Sequence, residues 1–464
     1  MAEPKKKAVK GKFWLAGCPE YPAPGILNIQ DNGDMDLELF GLLKGREGKE
    51  LDEGRINGKV DEYGLVTLNH CFYQYEALPI DDIQTSRIIV NEAILGAAYG
   101  ETDELEFHSL YFEVDNLHIW SHISGLTRNV GQGGAYSVDF KLPQNIDYSL
   151  RNGFTLTLGF GFSVKNPSVT AVNLEQSVYW KISSDRLRPL EEFRDCAFKI
   201  NNFLSLAMDQ PVCMRNFKLT NNNLVIKYGD SEVARQLGLI YRVGNYQSDP
   251  VKTHIQAMLF GLPHVRDKFE SLINIWLDLY DVADPALNLF FSVINEPNTF
   301  SESKFLSLAQ SMETLHRRTN HDTATPEAEF EEFKRRVLSS APEDTHEWLE
   351  SKFKFGNELT FKKRVLDLIS PFQRLLGSSQ RKKTIAHKIV TSRNYYTHYN
   401  PDLESQAQKG EDLLNLTYTM EALCKLILIQ KLGFTFEEIE KMIGQRIRQA
   451  LQAEARDQVS EKSN

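Results

Sequence analysis

The chain has 464 residues, which is too many for one ordinary hydrophobic core, so we expect two or more domains. Hydrophobic residues make up 41% and charged residues 25%, as is typical of a globular protein, and no apolar run approaches the ~20 residues of a membrane span. The formal net charge of −10 argues against a surface that is basic throughout, although it is compatible with a local basic patch.

The N-terminal region has the pattern of a β domain that follows a flexible tail of ten residues. Two strand-like runs, 26–29 and 35–40, flank Asp31-Asn32-Gly33-Asp34, and Asn-Gly between alternating segments is a strong hairpin signal. Further strand-like runs are 56–60, 66–68, 105–114, 136–142 and 154–164. Many short strands at this spacing indicate an antiparallel sandwich or barrel-like domain.

The hydrophobic pattern changes to helical spacing near residue 190. A helix is predicted over 191–207, and a short β segment over 217–228 closes this region. From about residue 253 onward the chain is almost entirely helical in pattern. The predicted segments are 253–261, 265–281, 285–293, 300–319, 326–340, 344–354, 358–376, 379–398, 411–431 and 434–455. Pro371 should end or kink the segment that contains it.

Together these patterns predict an α+β protein, in which a mainly antiparallel β domain is followed by an all-α helical bundle. We place the boundary near Glu296-Pro297-Asn298. The first domain would then span 11–296, β-rich to about 240 and helical after about 250. The bundle would span 297–453, and the charged residues 454–464 would form a second flexible tail.

The positive charge of this acidic chain is concentrated in one part of the bundle. Between Asp367 and Asp402 there is no Asp or Glu. The cations and histidines of that stretch are Arg374, Arg381, Lys382, Lys383, His387, Lys388, Arg393 and His398, and three tyrosines follow the arginine, Tyr395, Tyr396 and Tyr399. Such a field attracts a polyanion, and bases can stack on tyrosine rings. We therefore select Lys382, Lys383, Lys388 and Tyr395 as candidate RNA-binding residues. The alternative is a solvated helix face with tyrosines that pack in the core.

Within this stretch, Arg393 and His398 are the candidate catalytic residues. Arg393 projects onto the buried side of helix 379–398, so its guanidinium needs a carboxylate or a phosphate, and Glu313 on an earlier helix is a candidate partner. Asn394 precedes His398 by four residues, and its amide is expected to orient the imidazole. His398 should lie at the helix C-terminus, because Asn400-Pro401 follows.

An arginine and a histidine in this arrangement suit RNA cleavage without a metal ion. The 2′-hydroxyl must lose a proton as it attacks the adjacent phosphate, and the departing 5′-oxygen must gain one. A histidine can perform either transfer, and an arginine stabilises the added negative charge. One histidine performs one transfer at a time, so a second proton carrier is needed, which a homodimer would supply. Alternatively, Arg-x4-His is a chance pattern and His398 caps its helix.

Cysteines and termini indicate the compartment and the absence of a metal site. The five cysteines lie far apart without a CxxC pair, which argues against zinc and is typical of reduced thiols in the cytoplasm. The basic start of the chain has no apolar signal core after it. We expect a cytoplasmic protein with no metal, no cofactor and no membrane partner.

The segment 392–398, Ser-Arg-Asn-Tyr-Tyr-Thr-His, resembles the Arg-[Asn/His/Asp]-x-x-x-His motif of the HEPN superfamily. The preceding segment 359–368 and the earlier segment 305–316 look like helices of ApeA-type HEPN domains. In the N-terminal part, 11–15, the early glycine-bounded strands, and 202–207 with Pro211-Val212 are similar to the ApeA N-terminal domain, by a looser pattern of hydrophobic and glycine positions. The resemblance thus covers nearly the whole chain.

The resemblance implies an antiphage, abortive-infection protein whose C-terminal HEPN domain is a metal-independent endoribonuclease toxin and works as a homodimer or higher homo-oligomer. Arg393 and His398 match the family's active pair, and Asn394 matches its polar position. Transfer RNA is the candidate substrate by analogy with related HEPN nucleases, and the N-terminal domain would respond to an unidentified phage-derived trigger. Some HEPN toxins carry Tyr two residues after the His. This chain has Asn400 there, so regulation through that tyrosine is not carried over.

Two other functions stay open at this level. The bundle could be a non-catalytic module that binds RNA or a nucleotide through the basic helix, with Arg393 holding a phosphate without chemistry. Alternatively, the protein could be an adaptor in which the β domain provides the partner surface. Cleavage that is lost with His398 would exclude both.

Overall fold

The computed structural model describes residues 6–43, 54–76, 85–165, 168–228, 231–248, 250–295 and 300–452. The chain divides into two compact units, Met1–Asn274 and Ile275–Asn464. The boundary expected at residues 296–298 and the tail expected at 454–464 lie outside the described residues. The two units together contain an antiparallel β domain and a helical region, so the predicted α+β class is confirmed.

Six strands at the start of the first unit close into an antiparallel barrel. They are β1 (Lys6–Leu15), β2 (Ala23–Gln30), β3 (Met35–Phe40), β4 (Gly54–Val60), β5 (Gly64–Glu76) and β6 (Thr85–Leu95). The order is β6-β3-β2-β1-β4-β5, and β5 pairs again with β6, which removes the open edges. Phe13, Leu27, Leu37 and Ile56 fill the interior. The flexible tail expected over residues 1–10 is wrong for Lys6–Lys10, because these residues pair with β2.

The hairpin predicted around Asn32-Gly33 is present and joins β2 to β3. Gly33 has a φ of 87°, a left-handed conformation that glycine adopts without strain. An added Cβ there would also lie 2.0 Å from the Tyr241 carbonyl oxygen. Glycine is therefore required at position 33 for two reasons, the left-handed backbone conformation and the close approach of the Tyr241 carbonyl group.

Six further strands extend the sheet from β6. They are β7 (Glu106–Val114), β10 (Ile146–Ser149), β11 (Thr155–Lys165), β12 (Asn173–Pro189), β13 (Met214–Tyr228) and β14 (Ser231–Tyr241), in the order β10-β11-β12-β7-β13-β14. A short helix α1 (Leu117–Ser121) and a separate hairpin of β8 (Leu126–Val130) and β9 (Tyr136–Phe140) follow β7. Helix α2 (Leu190–Ala207) packs against β12 and β7. The predicted helix 191–207 is confirmed, and the expected 253–261 helix is wrong, since only one 3₁₀ turn forms there.

The remaining helices are α3 (Leu262–Val265), α4 (Phe269–Asn295), α5 (Ser301–Thr319), α6 (Glu327–Ser340), α7 (His346–Phe353), α8 (Phe361–Ile369), α9 (Gln373–Leu376), α10 (Ser379–His398), α11 (Gly410–Lys431), α12 (Phe436–Met442) and α13 (Gln445–Gln452). Helix α11 packs against α5, α8, α10, α12 and α13, and it is buried along most of its length. Among the helices of the described residues, none combines the length and apolarity needed to cross a lipid bilayer.

Proline had different effects at two of the predicted boundaries. Pro285 lies inside α4, which continues through a kink at Ala283, so the expected separate segments 265–281 and 285–293 form one helix. Pro371 lies in a 3₁₀ turn at Ser370–Phe372 that separates α8 from α9, as its ring was expected to cause. The expected 434–455 helix also divides, into α12 and α13.

Candidate active site

Helix α10 carries the candidate catalytic pair, and its bounds match the predicted segment 379–398. Ser378 caps the N-terminus, where its hydroxyl accepts a hydrogen bond from the Arg381 backbone N–H at 3.1 Å. Ile385, Ile389 and Tyr396 form the buried stripe. This packing fixes the rotation of the helix and therefore the directions in which Arg393 and His398 leave it.

Arg393 is held from two neighbouring helices. Its Nη2 lies 2.9 Å from Glu313 Oε2 on α5, and its guanidinium carbon lies 5.1 Å from the centre of the Phe361 ring on α8. Its Nη1 donates to Asn394 Oδ1 at 3.2 Å. The expected carboxylate partner is thus present, and the Arg393 side chain keeps 31% of its surface exposed.

Glu313 is shared between two arginines. Its second oxygen, Oε1, lies 3.3 Å from Arg317 Nη2. Arg317 Nη1 then lies 2.6 Å from Glu358 Oε2, which is 3.6 Å from Arg364 Nη2. We call these five residues, Arg393, Glu313, Arg317, Glu358 and Arg364, the charge network. It places three guanidinium groups and two carboxylates at the junction of α5, α8 and α10, so Arg393 has little freedom to rotate.

A buried histidine adjoins the charge network. His316 is 2% exposed, its Nδ1 lies 3.3 Å from Arg364 Nη1, and its Nε2 lies 3.5 Å from Asp367 Oδ2. Burial lowers the pKa of His316, the positive charge of Arg364 lowers it further, and Asp367 offsets only part of this. The neutral ring is therefore favoured, and its Nδ1 accepts from Arg364.

His398 is the last residue of α10, and its side chain is exposed. Within the described ranges, no residue makes a hydrogen bond to its imidazole. The contact expected from Asn394 to the imidazole is wrong, and the side-chain Oδ1 of Asn394 instead accepts a hydrogen bond from Arg393 Nη1. Tyr399 follows with a φ of 48° and ends the helix in the left-handed conformation. The imidazole is accordingly open to a substrate from the end of the helix.

The candidate RNA-binding residues differ in solvent exposure and in their contacts with other side chains. Lys383 is exposed, whereas Lys388 is half-buried and Lys382 is half-buried with its Nζ donating to Ser370 Oγ at 3.1 Å. The Tyr395 ring is half-buried, and the Lys409 ammonium lies 5.3 Å from its centre. Tyr399, at 65% exposed, offers the more accessible ring.

Two other cations of the acid-free stretch make contacts within the protein, although Arg374 itself is exposed and Arg381 is half-buried. The Arg374 guanidinium lies 5.2 Å from the centre of the Phe436 ring, and Arg381 Nη2 donates to the Leu451 carbonyl oxygen at 2.7 Å. The basic stretch is therefore not one continuous surface for a polyanion. Arg317, Glu358 and Arg364, which the sequence analysis did not select, hold the more ordered charges. For Arg317 the available sequence signal is its four-residue helical spacing from Glu313, whereas no local pattern pointed to Glu358 or Arg364.

Two family models match the chain over most of its length. The model described as ApeA N-terminal domain 1 matches residues 8–276, and the model described as Apea-like HEPN matches residues 306–438. The chain belongs to the ApeA family. No curated protein and no solved structure matched it.

The HEPN match of this ApeA-family protein extends from α5 into α12 and includes Glu313, Arg393 and His398. An ApeA N-terminal domain joined to an ApeA-like HEPN domain makes the protein a defence-associated HEPN protein, of a domain class that is commonly nuclease-like. At the site itself, a guanidinium with an exposed edge and an exposed imidazole lie on one helix. This pair can bind a phosphate and transfer a proton.

Proposed function

We propose that the HEPN domain of this protein is a metal-independent endoribonuclease, regulated by the N-terminal domain, that acts in abortive infection. The observation that supports this proposal best is the Arg393–Glu313 pair. It orients a partly exposed guanidinium on the helix that ends at His398. Because Glu313 and Asn394 each accept one N–H of the guanidinium, its other N–H groups are available to a phosphate.

The proposed reaction is a displacement at phosphorus. The 2′-oxygen forms a bond to the phosphorus, the bond from phosphorus to the 5′-oxygen breaks, and a 2′,3′-cyclic phosphate and a 5′-hydroxyl result. His398 takes the proton of the 2′-hydroxyl or supplies the proton to the 5′-oxygen. Arg393 stabilises the negative charge that develops on the phosphate oxygens.

The geometry of α10 favours a site built from two copies of the chain. Five residues of helix separate Arg393 and His398 by a rise of about 7.5 Å and a rotation of about 140°. Within one chain the two groups therefore leave the helix in different directions. In a two-fold dimer, the second chain would supply both a further phosphate ligand and the second proton carrier that the reaction needs.

The proposal is tested by RNA cleavage with purified protein and matched histidine variants. We expect His398→Ala and Arg393→Ala to lose about 100-fold or more of the activity, since general acid–base and electrostatic catalysis each contribute on this scale. His387→Ala changes an exposed histidine of the same helix outside the motif and should retain activity. Products should carry 2′,3′-cyclic phosphate ends, in the presence of a chelator as in its absence.

Because the proposal includes regulation by the N-terminal domain, the same variants are compared in cells with and without phage, by sequencing of cleaved RNA ends. Wild-type cells should show His398-dependent cleavage sites on infection, and enrichment of transfer-RNA ends would support the substrate proposed by analogy. Cleavage that persists in both active-site variants would falsify the assignment, as would products with 3′-hydroxyl ends. Binding of RNA without cleavage in triggered cells would favour the non-catalytic alternative.

A further inference from the structure

A polar cavity of about 430 Å³ opens on the extended sheet of the N-terminal domain, far along the chain from the HEPN motif. Its volume lies within the roughly 300–1,000 Å³ of small-molecule sites, but its lining is unlike most of them, because only Val233 and Ala234 contribute aliphatic side chains. All lining residues belong to the first unit, on β7, β11, β12, β13 and β14 or directly beside them.

The floor of the cavity is a row of polar side chains that crosses five strands in register. Thr155 pairs with Ser183, Ser183 with Ser109, Ser109 with Thr220, and Thr220 with Gln236. Directly opposed residues of an antiparallel sheet present their side chains on the same face, so four hydroxyls and one amide lie side by side. At about 4.8 Å between strands the row extends over roughly 19 Å.

The adjacent row shows that this polarity is specific to one face. The neighbouring residue on each of the five strands is aliphatic, and these residues pair across the strands in the same order. They are at most 1% exposed: Leu156, Ile182, Leu110, Leu219 and Leu237. These side chains lie on the opposite face and form core, as strand alternation requires. The polar row is therefore a continuous feature of the cavity face, with no aliphatic interruption across five strands.

Two hydroxyls of the floor, those of Ser109 and Thr220, are nearly buried and have no hydrogen-bond partner among the described residues. Ser109 is 5% exposed and Thr220 is 6% exposed, yet in the part of the chain that the structure describes neither side chain makes a hydrogen bond. Both side-chain oxygens keep contact with the cavity, since neither is among the fully enclosed unpaired atoms. Nearly buried polar groups are normally satisfied, so these two are placed to bond with something that enters the cavity.

Both neighbours of β7 are irregular at the cavity. The pairing of β12 with β7 shifts after Ser183, and β13 has no further pairing with β7 beyond Thr220. His108 lines the cavity beside these irregular pairings, and its Nδ1 accepts from the Asn222 backbone N–H at 3.2 Å. In the neutral ring the hydrogen is therefore on Nε2, which leaves a donor for a ligand. Irregular strands of this kind are common beside binding sites.

The chemistry of the lining distinguishes between ligand classes. A hydroxyl both donates and accepts, as do the hydroxyls of a sugar, so the row can bond to consecutive ligand hydroxyls. The cavity lining includes one ammonium group, on Lys181, and one carboxylate, on Asp185, and this carboxylate would repel a phosphate ligand. An apolar ligand would leave Ser109 and Thr220 without partners. Tyr111 adds an aromatic ring beside the row.

We propose that this cavity, which we name the hydroxyl-row site, binds a neutral, hydroxyl-rich ligand, namely a saccharide. The proposal concerns the N-terminal domain and is independent of ribonuclease activity. It is tested on the full chain by saturation-transfer NMR with D-glucose, D-galactose, N-acetyl-D-glucosamine and maltose, each at about 10 mM, which populates sites with millimolar Kd. We expect at least one of the four to bind.

Two variants assign the binding to the hydroxyl-row site. Thr220→Val keeps the side-chain shape and removes a hydroxyl, and Gln236→Met keeps the length and removes the amide, so each should weaken binding about tenfold. Thr127→Val, the same change at an exposed position of β8 outside the cavity, should leave binding unchanged. If one cavity variant does not fold, the other decides the result.

Three outcomes would overturn the proposal. The first is that none of the four sugars binds. The second is that a sugar binds equally well to wild type and both cavity variants, which would place the binding elsewhere. The third is that inorganic phosphate or AMP, tested in parallel, displaces the sugar or binds in its place with the same dependence on Thr220, which would identify an anion site.

Discussion

Glu313 is the residue that positions the Arg393 guanidinium, since it provides the 2.9 Å carboxylate contact from a different helix. Its own side chain is only 16% exposed, so water replaces it poorly. A Glu313→Gln change keeps the shape but supplies one neutral oxygen in place of a shared carboxylate. We expect RNA cleavage to fall by about ten- to 100-fold, because a misplacement of about 1 Å can cost this much.

Glu404→Gln is the control variant for Glu313→Gln. It also removes a carboxylate from an ion pair of the same domain, in which Glu404 lies 2.8 Å from Lys409. That pair is exposed and lies outside the charge network, so activity should be unchanged. Single-turnover cleavage rates and circular dichroism of both variants separate lost positioning from lost folding. Equal rates for Glu313→Gln and wild type would remove Glu313 from the site.

His316 gives the helical region a predictable dependence of stability on pH. Its pKa in the folded protein is lowered from 6.5, mainly by burial and then by Arg364, while Asp367 opposes and Lys431 adds to the shift. Below pH 6.5 the unfolded chain therefore binds a proton that the folded chain does not. The free energy of unfolding should fall as pH decreases through this value, by up to about 1.4 kcal/mol per pH unit for one proton, until the folded-state pKa is reached.

Urea unfolding of wild type and His316→Gln between pH 5 and 8 (the range over which histidine normally titrates) isolates this contribution. The difference between the two free energies of unfolding should change with pH. Groups other than His316 titrate in both proteins, so their contributions cancel in this difference. His321→Gln, at an exposed position, is the control and should follow wild type. Parallel curves for wild type and His316→Gln would show that His316 titrates alike in the folded and unfolded chains.

At the scale of single elements, local signals predicted α10 well and long-range pairing poorly. The bounds of α10 follow from a serine cap, one buried stripe and Asn400-Pro401, all of which lie within the helix or beside it. β6, β12 and β14 were not predicted, since their place depends on partners far along the chain. β6, for example, closes the barrel only by pairing with both β3 and β5.

The same distinction applies to the candidate site. The projection of α10 placed Arg393 on its packed side, where a guanidinium needs a carboxylate or a phosphate, and Glu313 could be selected as a candidate partner. The ion pair of Arg317 with Glu358 could not be predicted from the sequence, since it depends on how α5 packs with the segment before α8. Asn394 had two partners within reach, and only the side-chain rotamers decide between Arg393 and His398.

The N-cap of α10 allows the stability of this helix to be changed without touching the motif. Ser378 is separated from His398 by the whole length of the helix, and its hydroxyl satisfies the Arg381 N–H. Ser378→Ala should destabilise the protein by about 1 kcal/mol, which corresponds to roughly 2–4 °C in Tm for a domain of this size. The rate of RNA cleavage below the transition should stay unchanged.

Ser378→Asp is the matched variant, because aspartate caps as well as serine and also interacts favourably with the helix dipole. Differential scanning calorimetry should therefore give it a Tm equal to or above that of wild type. A large loss of cleavage in Ser378→Ala with little change in Tm would mean that the start of α10 takes part in substrate binding, and that the site is more extended than the motif.

At the scale of the whole molecule, the proposed dimer makes activity depend on how subunits are combined. If two copies each provide a proton carrier, a dimer of one wild-type and one His398→Ala chain lacks one carrier and should be inactive. When equal amounts of the two chains exchange freely, about a quarter of the dimers are wild type in both chains. Activity should then fall to about a quarter of that of the wild-type protein, against about a half if each chain acts alone.

The two chains are co-expressed with different affinity tags, and mixed dimers are isolated by sequential purification, so that the prediction does not depend on the rate of exchange. Light scattering gives the mass of the assembly, and cleavage is measured per mixed dimer. Wild type mixed with His387→Ala is the control, because that histidine is exposed on the same helix but lies outside the motif. Mixed dimers with half of wild-type activity would show that Arg393 and His398 of one chain suffice, and the second proton carrier would then have to be sought among the groups around the same α10.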